Sequence, residues 1–319
     1  MFVSLRRRSV FVLLALTTLT LLGSAWSTAE ETWEQKKASR FKPLNDHQKQ
    51  SIAAAIPDKL AAQPASQRRI LAFYRCEGFI HTSIPHANES VRAMAEKTKA
   101  FAVDFADTYD VFTPENLEQY DAILLNNTTH MRFDQPEQQA AFMDFVAGGK
   151  GLIGFHAASD NFNRYPDSLA MIGGTFSGHP WGAGGKWAFK LDDPQHVLNN
   201  AFGGNGFWHS DEIYQYKPDS YVGTGVLRIL VSLDMSKEAV SSRIDDGPRE
   251  VPVSWVRTAG DGRVFYTNLG HREDTFANPM IVKHMLDGIQ YALGDLDADA
   301  TPTDQAGALT PALAPAEKS

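Results

Sequence analysis

The stretch Gly148-Gly149-Lys150-Gly151-Leu152-Ile153-Gly154-Phe155-His156-Ala157-Ala158 reads as a buried strand running into a sharp turn, with an imidazole at the tip. Glycine two places before the tip residue and small residues after it are the pattern of a nucleophile elbow, where a strand turns abruptly into a helix. Imidazole at such a tip can take or give a proton, or bind a metal through nitrogen, but it is a poor acyl-accepting nucleophile. His81, His179, His209 and His271 fall on further loops, close in sequence order to Asp211 and Glu212 or on the same predicted edge as His156. One solitary histidine would be read as structural. Several of them, each after a different strand and accompanied by carboxylates, point to proton transfer or metal chemistry.

The segment Phe207-Trp208-His209-Ser210-Asp211-Glu212-Ile213-Tyr214 concentrates aromatic faces, an imidazole and two carboxylates. Aromatic rings stack on the C–H faces of a pyranose. Asp, Glu, Asn and His hydrogen-bond its hydroxyls and can move protons once burial tunes them. Read as a continuous strand, the segment points His209, Asp211 and Ile213 one way and Ser210, Glu212 and Tyr214 the other, so one set faces the crevice. Glu212 is then the general acid or base, with Asp211 as the rival for that role. Two mechanisms compete. In the first, without metal, His156 and Glu212 form an acid–base pair on a keto-sugar while Asn127 and His271 hold hydroxyls or a developing oxyanion. In the second, some of His81, His156, His209 and His271, with a carboxylate, hold a divalent ion such as zinc. The sequence requires no cofactor and contains no H-E-x-x-H spacing. His81, Asn126, Asn127, His179, Trp208, His209 and Tyr214 are the candidate substrate-binding residues, and His130 belongs to the crevice or its rim. His47, His196 and His284 read as structural.

Periodicity supplies the elements that must position these groups. Arg69 to Tyr74, Phe101 to Phe105, Tyr120 to Asn126 and Leu152 to Phe155 read as strands. Asn88 to Phe101 and Pro136 to Val146 read as the helices between them. Alternation at this spacing argues a doubly wound, mainly parallel α/β sheet flanked by helices, flavodoxin-like, with its ligand crevice at the strand C-termini. The second half adds a strand, Val226 to Leu233, then a hairpin, Val251 to Arg257 and Gly262 to Asn268, and a closing helix, Pro279 to Leu293. The chain divides into a signal segment 1–29, an N-terminal arm 30–68, a catalytic-type domain 69–293 and a tail 294–319 rich in Asp, Ala, Thr and Pro, read as disordered.

With 319 residues, 43% hydrophobic and 21% charged, the chain can build a sizeable core. Arg6, Arg7 and Arg8 precede an apolar run, Val10 to Leu22, and small residues follow, the three parts of a secretory signal peptide with cleavage after Ala25 or Ala29. A secreted or periplasmic location is expected. Net charge is −8 with no basic stripe, which argues against nucleic acid as a partner. Cys76 is the sole cysteine, excludes an internal disulfide and reads as a buried thiol.

Taken in order, Phe79-Ile80-His81, Tyr120-Asp121-Ala122, Asn126-Asn127-Thr128, Gly151 to Ala158, Gly173-Gly174-Thr175-Phe176, His179-Pro180, Asp211-Glu212-Ile213-Tyr214, Pro252-Val253-Ser254-Trp255 and Gly262 to His271 resemble the trehalose-utilisation, or ThuA-like, family. The resemblance covers about Arg69 to Leu293. It implies a class I glutamine-amidotransferase-like fold and a role in metabolism of trehalose and related sugars, on 3-keto intermediates made by a partner sugar oxidoreductase. His156 stands where an amidotransferase carries cysteine, which argues against glutamine hydrolysis. A non-catalytic carbohydrate-binding or accessory protein is the alternative. Oligomeric state and the identity of the sugar are not legible.

Overall fold

The computed structural model describes residues 31–161, 165, 168, 171–245 and 250–317. The expected signal segment 1–29 and its cleavage sites lie outside the described residues. From Trp33 onward the chain forms one compact unit. In chain order, α1 (Trp33–Arg40) and α2 (Asp46–Ala55) precede β1 (Arg69–Phe73), α3 (Ile84–Thr98), β2 (Ala102–Ala106), α4 (Pro114–Leu117), β3 (Ala122–Asn126), α5 (Pro136–Ala147) and β4 (Gly151–Phe155). Then come β5 (Phe176–Trp181), β6 (Trp187–Leu191), β7 (Phe207–His209), β8 (Ile213–Tyr216), β9 (Arg228–Leu233), β10 (Pro252–Ala259), β11 (Gly262–Thr267) and the C-terminal helix Pro279–Ala292.

Nine strands form one sheet in the order β2-β1-β3-β4-β11-β10-β9-β6-β7. The first five are parallel and the rest antiparallel, which is the mainly parallel, flavodoxin-like α/β architecture that the strand and helix alternation predicts. The sequence reason is two-sided burial. In β1, Ile70 and Ala72 enter one core while Leu71 and Phe73 enter the other, and β3 divides Leu124 from Ile123 and Leu125 in the same way. A strand covered on both faces shows a continuous apolar run rather than alternation. Val91 and Met94 of α3 and Ile281, Met285 and Ile289 of the C-terminal helix fill the first core, and Phe142, Phe145 and Val146 of α5 fill the second.

Three boundaries differ from the sequence expectation. Helix α3 begins at Ile84 rather than Asn88, because Pro85 lies in its first turn, where a missing N–H costs nothing. The segment 207–214 is not one strand. Its β7 half pairs with β6 in the large sheet and its β8 half pairs with β5 in a separate two-stranded sheet, with the break at Ser210–Glu212. The tail expected to be disordered instead packs: Leu296 and Ala314 are buried, and Leu191 and Ala312 exchange backbone hydrogen bonds at 2.9 Å. The Ala314 N–H donates to Asp234 Oδ2 at 3.0 Å and the Trp208 indole to the Pro315 carbonyl at 3.0 Å. Composition signalled a polar tail but not the edge that it covers.

Among the N-terminal helices, α2 is closed by a reciprocal cap in which Asn45 and Gln48 accept from each other's backbone. Trp33 packs with Cys76, Ile80 and Ile84 beneath the loop after β1. Cys76 is buried, as read, and burial pushes its thiol up to about 12.

Candidate functional site

The loops after β1, β3, β4 and β11 gather at the C-terminal edge of the parallel strands. His156 is the first residue past β4 and opens a 3-10 turn, His156–Ser159, with φ 44°. A side chain in the left-handed region costs about 1–2 kcal/mol, so the turn needs external support. Tyr266 of β11 supplies it. Its hydroxyl donates to the His156 carbonyl at 2.7 Å and contacts Ser159 Oγ at 2.9 Å. Gly154 lets this happen, since a Cβ there would stand 2.7 Å from Ile172 Cδ1 and 2.9 Å from Tyr266 Cδ2. The elbow geometry is present. The exposed tip is not, because His156 is fully buried beneath His81 and His271.

The three imidazoles stand nearly perpendicular to one another, with ring centroids 4.9 Å apart for His81 and His156, 5.0 Å for His81 and His271, and 5.2 Å for His156 and His271. Glu212 closes the group: its Oε1 lies 3.1 Å from His271 Nδ1 and 3.8 Å from His156 Nε2. One ligand-type atom from each of His81, His156, Glu212 and His271 falls within 4.8 Å of all the others.

His156 Nδ1 is 2.6 Å from the Asn268 carbonyl, a contact that requires the proton on Nδ1 and leaves the Nε2 lone pair facing the cluster. His156 Nε2 and His81 Nδ1 are buried atoms with no hydrogen-bond partner among the described residues, and His271 Nδ1 faces only Glu212 Oε1 at 3.1 Å. Buried nitrogen atoms are ordinarily satisfied, so two unpartnered ones together demand an explanation. Burial, reinforced by the neighbouring imidazoles, lowers His81 to about 3 and His156 well below its ordinary value, so both are neutral at pH 7. An imidazole oriented by a backbone carbonyl, with two further imidazoles and a carboxylate alongside, is the donor set of a zinc-type site, and these four residues could hold a metal ion.

The remaining candidates separate clearly. Tyr214 stacks against His156 at 4.5 Å, and Phe176 packs on Tyr214 at 4.4 Å. His179, half exposed, puts Nδ1 3.4 Å from Glu212 Oε2 and lies parallel to Phe176. Asp211 does not enter the cluster. It is fully buried and accepts from the backbone of Glu212, Gly270 and Arg272 and from the Thr275 hydroxyl, so its oxygens are taken up in holding these segments together. His209 lies outside the group too, with its Nε2 3.0 Å from Thr275 Oγ1 and its Nδ1 facing Asn278. Trp208 is taken by the C-terminal segment, so the structure does not bring it to the crevice. The Asn126 amide donates to the Ile84 carbonyl and to Asn88, fixing the start of α3, while Asn127, at φ 51°, donates to Asn126. His130 sits on the rim, half exposed beside Asp160. His47 borders a surface pocket beside α2, His196 caps a 3-10 turn, and His284 is buried against Ser254 and Leu198.

Sequence reading missed Asn268 and Thr275. Asn268 holds the His156 ring through its carbonyl and the Tyr214 backbone through its side chain at 3.0 Å. The one available signal was its place at the end of β11, beside the strand that leads to His156. Phe79, more than half exposed and 4.7 Å from the His81 ring, was likewise overlooked as a rim aromatic.

The family model described as trehalose utilisation, ThuA, matches residues 69–292. The chain belongs to the ThuA family. Its fold is similar to that of a ThuA-like protein from Bacteroides uniformis ATCC 8492, at 19% identity and TM-score 0.58, covering 77% of this chain and 98% of that one. It is also similar to a ThuA-like protein from Parabacteroides merdae ATCC 43184, at 17% identity and TM-score 0.54, covering 74% and 93%. No curated protein matches the chain. Membership of the ThuA family gives the protein a carbohydrate-related role.

Proposed function

We propose that this ThuA-family protein is an enzyme acting on a sugar or 3-keto-sugar of the trehalose type, with a divalent ion held by His81, His156, His271 and Glu212. The observation that carries the reading is the convergence of ligand-type atoms from three imidazoles and one carboxylate within 4.8 Å of one another, with His81 and His156 each holding a buried unpartnered nitrogen. A carbohydrate family supplies the substrate class. An ion at this place supplies polarisation of a carbonyl or a lowered pKa for water. Zinc suits the nitrogen and oxygen donors.

The chain's own residues do the rest. Asn268 fixes the tautomer of His156, as the outer hydrogen bond of a ligating imidazole does. Glu212 faces the cluster with Oε1 and the half-exposed His179 with Oε2, which gives a proton a route between the buried centre and solvent. Phe79, more than half exposed beside His81, offers an aromatic ring at the rim, while buried Tyr214 backs the His156 ring. The reading includes export after removal of residues 1–29, and an oxidoreductase that supplies the keto group.

The test is calorimetric titration of zinc into metal-free protein, followed by incubation with disaccharides and their 3-keto forms and product analysis by mass spectrometry. One ion per chain is expected, with affinity falling by more than about 100-fold in His156→Gln and Glu212→Gln. Wild-type protein that takes up no divalent ion, or variants that bind as tightly as wild type, would overturn the metal centre. Zinc-loaded protein that forms no product from any sugar in the panel would overturn the catalytic reading in favour of a binding protein.

A further inference from the structure

An open surface depression of about 430 Å³ adjoins the cluster, lined by Thr82, Ala183, His271, Arg272, Glu273 and Asp274. Its walls are chain neighbours of the site. Thr82 follows His81, Arg272 follows His271, and Ala183 lies in the loop between β5, which carries His179, and β6. His271 belongs to both the cluster and the cavity wall, so a group held in the cavity abuts the cluster. The volume is within the usual range for small-molecule sites, roughly 300–1,000 Å³.

The wall chemistry selects the occupant. Arg272 contributes the guanidinium, three of whose five N–H groups are committed: Nε and Nη2 donate to Asp274 at 2.8 Å each and Nη1 donates to the Ala183 carbonyl at 3.1 Å. Glu273 adds a second carboxylate, whose nearest charge partner is His86 Nε2 at 3.6 Å, in a different pocket. Arg272 and Asp274 balance each other in charge and Glu273 leaves the wall net negative, so its carboxylate oxygens, the Thr82 hydroxyl and the remaining Arg272 N–H groups offer partners to sugar hydroxyls while the net charge disfavours phosphate or carboxylate groups.

We propose that this cavity is the subsite for the neutral, hydroxyl-rich second moiety of the substrate, and that it excludes phosphorylated sugars. The proposal rests on the carbohydrate reading above and adds the place and charge of the leaving portion. In a glycoside, the ring that reacts lies against the cluster and the other ring occupies the cavity.

Calorimetric titration of trehalose and of trehalose 6-phosphate into the zinc-loaded protein lacking residues 1–29 tests this. Trehalose is expected to bind and its 6-phosphate to bind at least about tenfold more weakly. Ala183→Trp, which fills the cavity, is expected to weaken trehalose binding by at least about tenfold while zinc uptake stays unchanged. Asp274→Ala releases Arg272 and is expected to bring the affinity for the 6-phosphate up to that for trehalose. Equal affinity of the wild-type protein for the two sugars, trehalose affinity unaltered in Ala183→Trp, or no gain in Asp274→Ala overturns the subsite and leaves the carbohydrate reading standing. Failure of the wild-type protein to bind either sugar overturns both.

Discussion

The carboxylate of Asp211 joins three separate pieces of the site. It fixes Glu212 through its backbone N–H at 2.9 Å, the His271 segment through Gly270 at 2.8 Å and Arg272 at 3.1 Å, and the turn before the C-terminal helix through Thr275 at 2.8 Å. Burial still raises it to about 6, because four donors do not fully replace water around a carboxylate. Asp211→Asn puts an amide donor among N–H groups and is expected to cost about 3 kcal/mol in denaturant unfolding. Zinc affinity should fall at least about tenfold in the protein that remains folded. Asp287→Asn, another buried carboxylate but one paired with Lys283 on the C-terminal helix, should lose stability without changing zinc affinity. At this scale the sequence was half legible. Alternation separated Glu212 from Asp211 but could not say which faced inward, since that depends on donors from residues 270–275 that lie far along the chain. His209 illustrates the same limit: its spacing looks like that of a ligand, yet Thr275 takes its ring.

At the scale of elements, the turn after β4 depends on a strand residue without a side chain. Gly154 packs under Ile172, Tyr266 and Ala158 with no room for a methyl group. Gly154→Ala is therefore expected to destabilise the protein by about 1–3 kcal/mol, read from denaturant midpoints, and to weaken zinc binding by displacing His156. The parallel strands were legible because two-sided burial writes itself as short apolar runs such as Ala122 to Leu125. The segment 207–214 was not, since its alternation continues across a point where the chain changes sheets. The His81, His156, Glu212 and His271 quartet was legible in part. Its three imidazoles stand among the candidate ligands read from the loops, but its members follow β1, β4 and β11 or precede β8, so no local spacing like that of a helical zinc motif separates them from His209.

For the molecule as a whole, pH acts through buried imidazoles. His81 is lowered to about 3, and His209 and His284 to about 4, all chiefly by burial. Each has a folded value below its unfolded one, so the unfolded chain binds protons first as pH falls below about 6.5, and stability is lost from there down toward 4 and 3. Asp211, raised to about 6, works in the opposite sense: its charged form burdens the folded state above pH 6, and that burden lifts as pH falls toward 3.8. Three histidines outweigh one carboxylate, so melting temperature is expected to drop between pH 7 and pH 4, measured by scanning calorimetry. A flat profile would show that these imidazoles are solvated. The C-terminal segment makes a separate prediction. Removing residues 308–319 uncovers Leu191 and Trp208 and should lower the melting temperature by on the order of 5 °C. The segment continues the line of β7 along β6, so the outer border of the sheet is completed by residues that leave the ribosome after every strand has been made. During synthesis that border stands open to any passing β-rich chain, and the final seal is set only when 312–315 arrive.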